Sequence, residues 1–101
     1  MLKAVFYKQG NEYTGFAVSG HAGYGEEGND IVCASVSSAV MLVCNTITDF
    51  FNADADVEVL ENKITLRLND GNPSAEQLLA SFYQHMEIIA DEYSKIKLEI
   101  R

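Results

Sequence analysis

The stretch Asp30-Ile-Val-Cys-Ala-Ser-Val-Ser-Ser-Ala-Val-Met-Leu-Val-Cys-Asn-Thr-Ile-Thr-Asp-Phe-Phe51 decides how the rest of this chain is arranged. At about 100° per residue, Val32, Val36, Ala39, Val40, Val43, Ile47 and Phe50 fall on one side. That spacing predicts a helix from about Asp30 to Phe51 with one core-facing stripe, capped by Asn29 or Asp30. The β-branched residues weaken helix propensity, but a period near 3.6 sustained over roughly 20 residues outweighs them. A helix with a single apolar stripe needs a sheet or a second helix to cover it.

The flanking sequence supplies both. Residues 3–8 and 13–18 read as strands around a Gly10-Asn11 turn. Val57 and Val59, then Ile64, Leu66 and Leu68, alternate with polar residues on either side of a turn near Glu61-Asn62. Asp70-Gly-Asn-Pro73 breaks the chain, with Asn72 as cap and Pro73 as the first residue of a second helix. Leu78, Leu79, Phe82, Met86, Ile89, Ala90 and Tyr93 form the stripe of that helix. Ile96, Leu98 and Ile100 alternate with charges as a last strand. The order ββαββαβ predicts an α/β (α+β) two-layer sandwich, a largely antiparallel or mixed sheet packed against two helices. At 101 residues the chain reads as one domain, residues 1–101.

A hydrophobic fraction of 48% argues for a folded chain rather than a disordered one. A formal charge of −8 argues against nucleic acid and anionic membranes as direct partners. The N-terminus lacks the apolar run of a signal peptide, and no stretch reads as a membrane span. In an unexported chain the two cysteines, Cys33 and Cys44, are expected to be reduced thiols.

The chemistry concentrates between Gly20 and Ser37. Gly20, Gly23, Gly25 and Gly28 make a loop with little backbone preference of its own. Cys33 follows in the first helical turn, at N3 if Asp30 is the cap, where the helix dipole and unpaired N–H groups favour a thiolate. It lies about 100° from the centre of the buried stripe, on an accessible flank, with Ser37 one turn further on. His21, at the far end of the loop, is placed to take the thiol proton and return it to a leaving amine. A cysteine is also commonly a small core hydrophobe, and a lone histidine a surface residue, so the residues alone leave both readings open. The glycine spacing matches no phosphate loop. Cys44, roughly 16 Å from Cys33 along the helix, cannot bridge to it and reads as structural filler. One histidine and two separated cysteines make no metal site, and no cofactor is expected. His85 reads as packing or surface. Met41, Cys44 and Thr48 continue the Cys33 flank and are expected to serve a dimer contact or a substrate groove.

Gly20-His21-Ala22, then Gly28-Asn29-Asp30-Ile31-Val32-Cys33-Ala34 and Ser37, resembles the motif of the ribosomal-processing cysteine protease family, Prp. Position 35 is Ser, where that family often carries another small residue. The resemblance implies a Cys33 nucleophile with His21 as base, and supporting roles for Asp30, Ser37 and the four loop glycines. It implies an endopeptidase that removes the N-terminal extension of a large-subunit ribosomal protein before ribosome assembly. It also implies a homodimer in a bacterial cytoplasm, with a basic ribosomal protein precursor as partner, which the acidic surface suits. A noncatalytic assembly factor on the same scaffold is the alternative.

Overall fold

The strands and helices follow the expected order. The computed structural model describes residues 2–20, 29–93 and 96–101. Its elements are β1 (Leu2–Gln9), β2 (Glu12–Ser19), α1 (Asn29–Asn45, continued by a π-helical turn over Thr46–Phe50), β3 (Ala55–Leu60), β4 (Lys63–Leu68), α2 (Pro73–Glu92) and β5 (Ile96–Ile100). The five strands form one sheet in the order β3-β4-β2-β1-β5. Only β5 runs parallel to its neighbour, β1; the other three pairings are antiparallel. The sheet is therefore mixed, with both helices in a second layer.

Register explains which side chains meet the helices. Ala4 pairs with Val18 and Phe6 with Phe16, while Phe16 pairs with Leu66 and Leu2 with Ile96. All of these belong to one buried cluster, together with Val32, Val36, Val40, Val43 and Ile47 of the first helix and Leu79, Phe82, Met86 and Ile89 of the second. Phe6 is the aromatic centre, with ring contacts to Tyr13, Phe16, Phe82 and Tyr83 at centroid distances between 5.1 and 6.1 Å. On the opposite, uncovered face Glu99 sits among Lys3, Lys97 and Arg101. The Arg101 hydrogen bond, helped by the two lysines, holds its carboxyl below the usual carboxylate range. At the start of α2 the Asn72 side-chain Oδ1 accepts from the Ala75 N–H, and the Glu76 carboxylate accepts from the Asn72 N–H.

Four sequence expectations change. Phe50, expected in the buried stripe, is 76% exposed. The Thr46 and Thr48 hydroxyls donate to the Leu42 and Cys44 carbonyls, competing with the backbone there. The Phe51 N–H then reaches back five residues to the Thr46 carbonyl. This wider turn carries Phe50 off the α-helical stripe, and Asn52 ends the helix with φ of 50°. Val57 and Val59 are exposed rather than half-buried, because β3 is the sheet's outermost strand. Tyr93 leaves its stripe because α2 stops at Glu92 and Tyr93 is extended. Finally, Val32–Phe50 is long and apolar enough, by length and composition, to pass as a membrane span. Here its buried stripe packs against the sheet as a core helix.

Candidate active site

Cys33 is the fifth residue of α1, since the helix already includes Asn29. The cap expected of Asn29 or Asp30 is corrected, since both residues are already part of the helix. The first-turn position expected for Cys33 is corrected too: it stands in the second turn, where its own N–H is paired within the helix. The orphan N–H donors lie one turn earlier, still close along the axis. The flank assignment holds. Cys33 is half-buried while Val32 and Val36 on either side of it are fully buried.

The thiol lies at a cleft of about 180 Å³ between α1 and the sheet. Cys33, Val36, Ser37 and Val40 form the helix side of this cleft, and Leu2, Val18 and Gly20 the floor. The turn Glu61-Asn62 with Lys63 and Ile64 closes the far side. Two larger hollows, of about 510 and 500 Å³, lie elsewhere. One is a shallow depression between Phe51 and the start of α2; the other is on the uncovered sheet face. Neither is lined by a cysteine or a histidine.

Pairing places the cleft's wall. β2 pairs with β4 up to Ser19↔Lys63, and the Gly20 N–H continues the ladder by donating to the Asn62 carbonyl at 2.9 Å. Gly20 has φ of 86°, a left-handed conformation that suits glycine. The chain thus turns out of the sheet at the cleft, one residue before His21. Sequence reasoning placed the Glu61-Asn62 turn but not its presence beside Cys33. The only signal was the pairing of the second hairpin against the first, which no local pattern records.

Of the other expected site residues, Ser37 lines the cleft one turn beyond Cys33, and Asp30 belongs to the first turn of α1. His21, Gly23, Gly25 and Gly28 lie outside the described residues. Cys44 is 9% exposed, a member of the core cluster, and burial pushes its thiol up to about 11. This corrects the expectation that it shares an open strip with Met41. His85 is exposed on α2.

A half-buried thiol lining a cleft at the front of a core helix defines a candidate thiol-nucleophile site on an α+β sandwich. Comparison with known proteins makes the class specific. The family model of the cysteine protease Prp matches residues 1–97, so the chain belongs to that family and is a cysteine protease. Among solved structures it is similar to the essential ribosomal processing protease Prp from S. aureus with a covalently linked product peptide. That likeness has 25% identity and a TM-score of 0.89 and covers all of both chains. The S. aureus protease with a substrate peptide matches at 24% identity and a TM-score of 0.90, again over both whole chains. The Streptococcus mutans protein SMU.848 shares the fold at 22% identity and a TM-score of 0.86, covering all of this chain and 96% of that one. No curated protein matches the chain.

Proposed function

We propose that this chain is a ribosomal-processing endopeptidase that removes the N-terminal extension of a large-subunit ribosomal protein through a Cys33–His21 dyad. One observation carries the dyad: Gly20 and Cys33 line the same cleft, and His21 follows Gly20 by one peptide bond, about 3.8 Å from Cα to Cα. The Cys33 thiol gives its proton to His21, and the thiolate attacks the scissile carbonyl. The C–N bond breaks as His21 returns the proton to the leaving amine, and water then hydrolyses the thioester. The nearby helix N-terminus favours the thiolate and the developing oxyanion. Asp30, Ser37 and the glycines Gly20, Gly23, Gly25 and Gly28 support the pair.

Charge and the peptide-bound S. aureus relative support this substrate class. A chain of formal charge −8 attracts a basic precursor and speeds its encounter. The same proposal includes a homodimer working in the cytoplasm. Incubation with the extended ribosomal protein precursor, followed by mass measurement, tests the reaction. A shortened product from the native chain, absent with Cys33→Ala and with His21→Ala, is expected. Intact precursor after long incubation with the native chain sinks the proposal.

A further inference from the structure

A second surface that the dyad does not use begins beside the cleft, on the strand that leads into its Glu61-Asn62 wall. The α2 side of α1 is occupied, since Ala39, Leu42 and Val43 share a hollow with Leu78, Phe82 and His85. Cys33 and Ser37 sit on the other flank, and Met41 lies about 80° round from Cys33 on the same side. It is 59% exposed. Moving away from the cleft, α1 runs from Cys33 to Met41, a rise of about 12 Å over eight residues. β3, traced back from the Glu61 turn to Val57, covers about 13 Å. Measured along their own elements, Met41 and Val57 thus lie at similar distances, about 12 Å from Cys33 and about 13 Å from the Glu61 turn. Val59 and Val57 pair with Ile64 and Leu66 across the ladder, so their side chains point to the helix side of the sheet. They remain 69% and 40% exposed because α1 does not cover the outermost strand.

The backbone of β3 is equally unfinished. The Asn69 N–H donates to the Asp54 carbonyl at 2.8 Å. In an antiparallel ladder that places residues 54/69, 56/67, 58/65 and 60/63 in hydrogen-bonded pairs. Ala55, Val57 and Val59 therefore turn their N–H and C=O groups outward, along an edge that no described strand occupies. An extended chain laid there gains a ladder and places alternate side chains beside Val57 and Val59.

We propose that the substrate peptide binds as an added strand on the outer edge of β3. Its backbone pairs with Val57 and Val59, and its alternate side chains are apolar and rest between those valines and Met41. About four residues on one side of the scissile bond span this distance before the chain passes the Glu61-Asn62 turn into the Cys33 cleft. This rests on the protease reading of Cys33, because only a cleavable peptide needs to run from the edge to the thiol.

Two measurements on a cleavable peptide test it. The first replaces an outward N–H: Val57→Pro and Val59→Pro each raise KM about tenfold for a lost backbone bond and its disturbed edge. Neither changes the rate at which iodoacetamide alkylates Cys33, and Glu58→Gln on the opposite face leaves KM within about twofold. The second keeps the native chain and methylates peptide nitrogens one at a time, away from the scissile bond. Loss of cleavage at every second nitrogen is expected, and this scan decides the matter where a proline variant fails to fold. If the native chain cleaves the peptide but KM is unchanged in both variants and the scan shows no alternation, the added strand is overturned and the protease stands. If the native chain cleaves no peptide, the protease reading falls and takes this inference with it.

Discussion

Cys33 and Cys44 stand on the same flank of one helix, eleven residues apart, yet they meet opposite surroundings. Cys33 lines the cleft and is half-buried; Cys44 belongs to the core cluster, and its thiol is pushed up to about 11 by burial. Helical phase, which sets them within about 20° of each other, does not separate them. Their separation comes from what the sheet places opposite each. Near Cys33 the β3–β4 turn stands away and leaves a cleft. Near Cys44 the chain returns to the helix end, where the Ala53 N–H donates to the Ile47 carbonyl. One residue type on one flank therefore supplies an accessible sulfur at one end and packing at the other.

The largest effect expected from breaking this contrast is on activity. Cys33→Ala should abolish peptide cleavage, a loss of about 10³-fold or more, while Cys44→Ala leaves kcat/KM within about twofold. Equal losses from the two variants would erase the distinction. Stability should reverse the order: Cys44→Ala costs about 1 kcal/mol for a small buried group and Cys33→Ala less, as urea unfolding midpoints report.

A smaller effect sharpens the contrast through pH. The Cys44 thiol is raised in the folded chain, so its neutral form is favoured there. Its contribution is complete below the unfolded thiol value of about 8.5 and is lost as pH rises toward about 11. Thermal unfolding from pH 8 to pH 11 should show a fall in Tm that Cys44→Ala makes shallower. Tyr13 and Tyr83, both raised first by burial, account for part of the alkaline loss that remains. An identical slope in the variant would show that the Cys44 thiol ionises as easily folded as unfolded. The smallest effect concerns the end of the helix. Phe50→Ser should change stability by less than about 0.5 kcal/mol, whereas Ile47→Ala, three residues earlier and fully buried, costs about 2 to 5 kcal/mol.

Much of this was legible before the fold was known. The stripe through Val32, Val36, Val40, Val43 and Ile47, the hairpin at Gly10-Asn11 and the cap at Asn72-Pro73 are local patterns. Period and turn chemistry act over a few residues, so the sequence by itself determined the elements, their order and the two-layer class. It also determined that Cys33 stands on a flank of its helix, because helical phase is a property of the helix alone. The family motif from Gly20 to Ser37 pointed to the same cysteine.

Only the tertiary structure decided what lies opposite each element. Val57 and Val59 alternate as a half-buried strand does, but the sheet order puts them at an edge that α1 does not reach. Phe50 obeys the α-helical period, but two threonine hydroxyls widen the turn before it arrives. Glu61-Asn62 is an ordinary turn in the sequence, and it becomes a wall of the Cys33 cleft only because β4 pairs with β2. Pairing partners far apart in the chain are chosen by burial summed over the whole sheet, a free energy that no short window contains. The accessible thiol was thus prepared locally by α1, and the cleft around it was made by the packing of the two hairpins.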